Sequence, residues 1–209
     1  MAKGRLSRNA SSKRLASSRV ESRFSGFFNS SQCAPAHEVA LRLRVPGWAD
    51  GATIRLNGQP AQAQVEPGSY AVLRRRWQTG DVIELNLPLP VRLLEAHPRV
   101  EELRNQVAVM RGPRVYCLES PDLPAQVRVA EVGLAREAKL TPRQDEKRWG
   151  GVTVLEGEAR VARQGDWSGR LCRELSSAPP APCRIVLIPY YAWANRDVSE
   201  MTVWMPLTE

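Results

Sequence analysis

Residues 81–119 read DVIELNLPLPVRLLEAHPRVEELRNQVAVMRGPRVYCLE, and they hold two strand signals with a joint between them. Ile83, Leu85, Leu87 and Leu89 alternate with Glu84, Asn86 and Pro88, the period of a strand with one face in a core and the other toward water. Pro88, Pro90 and Pro98 then break the period, because proline lacks an amide donor and has a fixed φ. Residues 88–98, with the short apolar run Val91, Leu93 and Leu94, therefore read as a linker. The strand pattern resumes over 107–110, stops at the turn residues Arg111-Gly112-Pro113, and restarts at Val115, Tyr116, Cys117 and Leu118. One β unit ends and another begins near residue 100.

Upstream, Val39, Leu41, Leu43 and Val45 point one way and Glu38, Ala40, Arg42 and Arg44 the other, an amphipathic strand ended by Pro46-Gly47. Trp48 follows as a large apolar anchor whose indole N–H needs a partner if buried. Ile54 and Leu56 lead into Asn57-Gly58, both of which accept the positive φ of a type I′ hairpin turn. Glu66-Pro67-Gly68 marks the next turn, and Tyr70, Val72, Leu73 and Trp77 a further strand. Arg74, Arg75 and Arg76 do not form one patch, since alternate residues of a strand face opposite ways.

Downstream, Pro121 and Pro124 delimit a loop, and Val127, Val129 and Glu131 suggest a strand. Residues 133–149 read as strand and loop, Val152 and Val154 start another strand, and 163–184, rich in Gly, Ser and Pro, read as a long stiff loop. Residues 185–188 are an apolar run of the kind buried in a β-sandwich, and Met201, Val203 and Met205 alternate with Thr202 and Trp204. The expected class is all-β: two consecutive antiparallel β-sandwich-like domains.

The chain has 209 residues and a formal charge of +8. Residues 1–36 contain seven basic residues (Lys3, Arg5, Arg8, Lys13, Arg14, Arg19 and Arg23) against the single acid Glu21, a surplus of six that leaves +2 for the rest. The body is thus a mixed-charge surface, and neither a specific nucleic-acid nor a membrane partner is expected of it. The tail, with nine serines, cannot bury enough apolar area to offset the entropy of ordering, and reads as disordered. No apolar window approaches a membrane span and no signal-peptide core follows the basic start, so the expected location is cytoplasmic.

Chemistry is sparse. The two histidines, His37 and His97, have no neighbours at metal-ligand or triad spacing, and His97, between Ala96 and Pro98, reads as a hydrogen-bonded hinge. The four cysteines, Cys33, Cys117, Cys172 and Cys183, form no CxxC pair. Cys117, inside a strand, reads as an inert buried thiol, while Cys172 and Cys183 could be bridged or free. Trp167, Tyr190, Tyr191 and Trp193 are the only candidates for carbohydrate contact.

Three strings carry a family resemblance: LRLRVPGWADGATIRLNG at 41–58, EAHPRV at 95–100 with QVAVMRGPRVYCLE at 106–119, and YYAWANRDVSEMTVWMP at 190–206. In order and spacing they resemble the two β-sandwich domains that follow the catalytic barrel of the bacterial β-L-arabinofuranosidases, glycoside hydrolase family 127, formerly domain of unknown function 1680. The resemblance begins near His37, after the tail at 1–36 that composition reads as disordered, and implies a partial middle domain at 37–97 and a C-terminal domain at 98–209. It implies removal of β-L-arabinofuranosyl units from plant-type glycans as the parent activity. The family's cysteine nucleophile, glutamate acid/base and zinc belong to the barrel, and no position here matches those motifs.

From this chain the resemblance implies no catalytic, cofactor-binding or metal-ligating residues. It implies the catalytic barrel as missing partner, and glycans as ligands if the chain acts instead as a stand-alone carbohydrate-binding or interaction module. A middle domain lacking a neighbouring strand would expose an edge and an apolar face, which favours self-association.

Overall fold

The computed structural model describes residues 37–148, 151–162, 168–172, 174, 179–196 and 198–208 in full, and 22–27 as backbone. Two compact units divide the chain, Met1–Pro90 and Val91–Glu209. Among the described residues nearly all regular structure is strand, as expected, with only three-residue 3-10 turns besides.

The first unit contains β1 (Ser22–Phe27), β2 (Val39–Arg44), β3 (Thr53–Leu56), β4 (Gln59–Pro60), β5 (Tyr70–Arg75) and β6 (Val82–Leu87). Strands β2 and β5 pair antiparallel with Leu41 opposite Leu73 and Leu43 opposite Ala71, so the apolar sides of both alternating patterns share a face. A second sheet runs in the order β1-β6-β3-β4. Ile54, Ile83 and Leu85 from that sheet meet Ala71, Leu73, Val45 and Trp77 in one buried cluster, the sandwich core. Asn57 and Gly58 take φ of 51° and 79°, as the type I′ reading requires.

The core indole is Trp77, not Trp48. Trp77 is 3% exposed and donates to the Val39 carbonyl at 2.9 Å, whereas Trp48 is half-buried. Arg75 lies over the Trp77 ring at 5.5 Å, while Arg74 and Arg76 face solvent, so the arginine triplet is indeed split between faces.

Part of the stretch assigned to a disordered tail is structure. Strand β1 pairs antiparallel with β6 over six residues, Ser22 opposite Leu87 through Phe27 opposite Val82. That ladder covers the edge of β6, so along β6 the expected open edge of the first unit is absent. Composition missed this because the ladder satisfies backbone groups, which Ser and Arg possess like any other residue.

The second unit contains β7 (Val91–Glu95), β8 (Gln106–Arg111), β9 (Arg114–Glu119), β10 (Val132–Ala135), β11 (Thr141–Asp145), β12 (Val152–Val161), β13 (Ala181–Pro189), β14 (Met201–Thr202) and β15 (Trp204–Thr208). Following the pairings, β8, β9, β13, β12, β10 and β15 return to β8, so this sheet closes into a small six-stranded barrel where the sequence suggested an open sandwich. Closure removes unpaired edges, which an open sheet would have to protect otherwise. The one parallel joint in the ring is β10 to β15. At that joint Gly133 is packed so closely that a Cβ would sit 2.5 Å from Thr208 Cγ2 and 3.0 Å from the Pro206 carbonyl.

Strand β9 shows the two faces. Tyr116 and Leu118 enter the main core with Val109, Leu134, Leu155, Ile185, Leu187 and Met205, whereas Cys117 joins Val152, Val154 and Ile188 in a smaller cluster.

Three expectations are corrected. Residues 91–95 are a strand, Val91 opposite Arg111 through Glu95 opposite Val107, and not linker; the prolines Pro88, Pro90 and Pro98 bound that strand without entering it. The division accordingly falls at Pro90/Val91 instead of 97/98. Residues 129–131 are a 3-10 turn, with the strand starting at Val132. Cys172 and Cys183 are free thiols, exposed and buried respectively, so the disulfide alternative is not realised.

Candidate functional site

The most elaborate side-chain arrangement is ionic and lies on the second unit, between the end of β9 and the segment after β13. Glu119 ends β9 with 0% exposure. Its carboxylate accepts from Arg196 Nη2, from the Ala194 amide at 3.0 Å and from Ser199 Oγ at 2.9 Å. Arg196 also donates to both oxygens of Asp122, at 3.1 and 2.7 Å. Asp122 receives Arg148 at 2.8 Å, and Arg148 reaches Asp145 at 3.1 Å. Asp145 and Glu156 are joined in turn by Arg143, at 3.4 and 2.7 Å.

The elements place these groups for simple reasons. The Ser120–Asp122 3-10 turn, with Pro121 at its start, directs Asp122 back beside Glu119. The chain beyond β13 turns at Tyr190–Ala192 and then at Ala194, whose φ of 59° is unusual for a residue with a Cβ. The Glu119 carboxylate holds that strained amide in place. Ser120 and Glu200 close the arrangement by exchanging bonds of 2.9 and 3.1 Å.

The electrostatics are those of a clamp. Burial alone would raise the Glu119 carboxyl, but the bonds from Arg196, Ala194 and Ser199 and the guanidinium charge outweigh it and hold it below its ordinary value. The hydrogen bond to Asp122 chiefly, then that to Glu119, keeps Arg196 charged. Burial, then the Glu119 and Asp122 charges, push the Cys117 thiol up to about 12. At neutral pH Cys117 is therefore a thiol, donating to the Ile188 carbonyl at 3.7 Å, and not a nucleophile or a metal ligand.

Among the described residues no three His, Cys, Asp or Glu side chains come together as a metal set. The acids that do cluster are already bonded by arginines, which does not fit the zinc that the resemblance attaches to the barrel.

The carbohydrate-contact candidates separate. Tyr190 and Tyr191 are 45% and 65% exposed on the turn after β13. Trp193 is half-buried against Cys117, Val152, Val154 and Ile188, with its ring 6.5 Å from that of Tyr190. Trp167 lies outside the described residues. His97 is exposed in the loop after β7, where its Nδ1 accepts from the Arg99 amide at 3.2 Å. The sequence reading passed over Glu119, Asp122, Arg148 and Arg196. Its one available signal was a carboxylate directly after the buried run Tyr116, Cys117 and Leu118, since an unpaired charge there would be very costly.

Comparisons with known proteins agree along the chain. The sequence model of the beta-L-arabinofuranosidase GH127 middle domain matches residues 16–89, and that of the glycoside hydrolase family 127 C-terminal domain matches 91–206. The first of these starts well inside the stretch assigned to the tail. A non-reducing end beta-L-arabinofuranosidase of Bifidobacterium longum subsp. longum is 36% identical over 175 residues, which are 79% of this chain and 26% of that protein.

A solved structure described as a glycoside hydrolase is 40% identical with a TM-score of 0.80, over 92% of this chain and 31% of its own. That of a GH127 beta-L-arabinofuranosidase from Geobacillus stearothermophilus T6 is 35% identical with a TM-score of 0.76, over 91% and 29%. The chain thus spans between a quarter and a third of the length of these relatives. It belongs to glycoside hydrolase family 127, of which it comprises the middle and C-terminal domains.

Proposed function

We propose that this chain is an accessory portion of a β-L-arabinofuranosidase-type glycoside hydrolase, serving a catalytic domain and not cleaving glycosides by itself. The observation that carries the reading is the match of 16–89 to the family's middle domain and of 91–206 to its C-terminal domain. The chemistry of the side chains at and near the clamp supports it. A general acid in glycoside hydrolysis needs a carboxyl held above its ordinary value, whereas Glu119 and Glu156 are held below theirs. A thiol nucleophile needs a lowered pKa, and Cys117 is shifted the opposite way.

The test is an assay of the purified chain on p-nitrophenyl β-L-arabinofuranoside, with and without added zinc. No release above a buffer control is expected, and release that disappears in Cys117→Ala would overturn the proposal. A second reading, glycan contact by a stand-alone module, is favoured by the exposure of Tyr190 and Tyr191 on a turn followed by Ala194, whose amide is bonded to Glu119.

A further inference from the structure

We infer that a cleft of about 390 Å³ in the second unit, beside the parallel joint of its barrel, is a binding site for a short neutral oligosaccharide. Its size falls within the range of small-ligand pockets, which combine an apolar floor with a few convergent polar groups. Leu93 of β7, Val107 of β8 and Leu207 of β15 give it apolar lining, and Glu95, His97, Arg104 and Arg136 give it polar lining.

The walls are built before any ligand arrives. The loop between β7 and β8 is tied by Val100 N–H to the His97 carbonyl at 2.8 Å and by Gln106 Nε2 to the Glu102 carbonyl at 3.0 Å. Asn105, at a left-handed φ of 55°, accepts from the Leu207 amide at 2.7 Å and so fastens the loop to β15. Asparagine adopts this left-handed conformation readily, so the turn that carries the bond to β15 forms at little cost.

The polar groups suit a sugar. Arg136 and Glu95 form no ion pair among the described residues, so one offers donors and the other acceptors to vicinal hydroxyls. His97 uses Nδ1 for the Arg99 amide, which leaves Nε2 free to face a ligand. Arg104 is partnered by Glu101 at 3.2 Å, so its charge and that of Arg136 are balanced by Glu101 and Glu95. A balanced lining favours a neutral ligand over an anionic one, and the apolar side chains match the C–H face of a sugar ring.

The sugar class rests on the family reading above, but the test does not depend on hydrolysis, so the two can fail separately. The full chain is titrated with β-L-arabinofuranosyl oligosaccharides while backbone amide shifts are followed by NMR. We expect shifts confined to 93–107, 136 and 207, and a dissociation constant raised about tenfold by Arg136→Ala, the loss of a hydrogen bond to a charged group. Val100→Trp should fill the cleft and abolish binding. Val100 is 40% exposed, so the change costs no core packing, and circular dichroism checks that the fold is kept. Tyr191→Ala should bind as the parent does. No binding by the parent chain, binding that survives both cleft substitutions, or binding lost in Tyr191→Ala would each overturn the inference.

Discussion

Arg196 stands 77 positions after Glu119, yet its guanidinium bonds to that fully buried carboxylate and to Asp122 beside it. The pair joins the end of β9 to the segment that follows β13. Breaking a buried ion pair by removing one partner leaves an uncompensated charge, at a cost of about 3–5 kcal/mol. Glu119→Ala should therefore lower the thermal midpoint of the second unit by on the order of 10 °C. Arg196→Lys should lower it as well, because an ammonium does not reproduce the forked donation of the guanidinium to Glu119 and Asp122. Unfolding followed by circular dichroism checks both variants.

The same carboxylate makes stability depend on pH in a defined direction. Its folded value lies below the ordinary 4.5, so its contribution is present in full above that value and is lost as pH falls through the folded value. The midpoint of the parent chain should hold steady above about pH 5.5 and fall below about pH 4.5. In Glu119→Gln, which cannot titrate, the midpoint should start lower and the acid slope should be shallower. Equal slopes in parent and variant would contradict the assignment.

Deleting residues 1–35 removes β1 and leaves β6 without its antiparallel neighbour. An unpaired strand edge is a template for association, so the truncated chain should lose more than about 2 °C in the first unit's midpoint and aggregate at concentrations where the parent does not. Light scattering and a melting curve on the two chains decide this, and identical behaviour would show that β1 contributes nothing.

Gly133→Ala introduces a Cβ 2.5 Å from Thr208 Cγ2 and 3.0 Å from a backbone carbonyl that cannot move aside cheaply. Overpacking of this kind costs about 1–3 kcal/mol. Because the contact lies at the parallel β10–β15 joint, faster amide hydrogen exchange should appear first in 132–135 and 204–208.

The thiols should differ sharply in reactivity. Cys172 is exposed, whereas Cys117 and Cys183 are buried and burial raises the thiol pKa of each. Iodoacetamide at pH 7.5 followed by peptide mapping should find Cys172 alkylated and the other two untouched until the chain is denatured. Rapid native alkylation of Cys117 would contradict the assigned environment.

Residue order alone was enough wherever the physics is local. Side chains alternate with period two in β2, β5 and β6, and Asn57-Gly58 accepts positive φ, so strands and turn could be read directly. The strings at 41–58, 106–119 and 190–206 were specific enough to indicate the family.

Tertiary structure decided what depends on partners far along the chain. Strand β1 exists through a ladder to β6 some sixty positions later, and β7 through one to β8 across a proline-bounded stretch that locally looks like linker. Barrel closure rests on a parallel contact between 134–135 and 207–208, to which no local periodicity points. The candidate sites divide the same way. Tyr190 and Tyr191 were visible as aromatics, but their exposure, the burial of Trp193, the Glu119 clamp and the cleft beside Arg136 arise only when distant segments meet. Backbone pairing and burial of charge are energies of contact, and contact is what a linear sequence does not display.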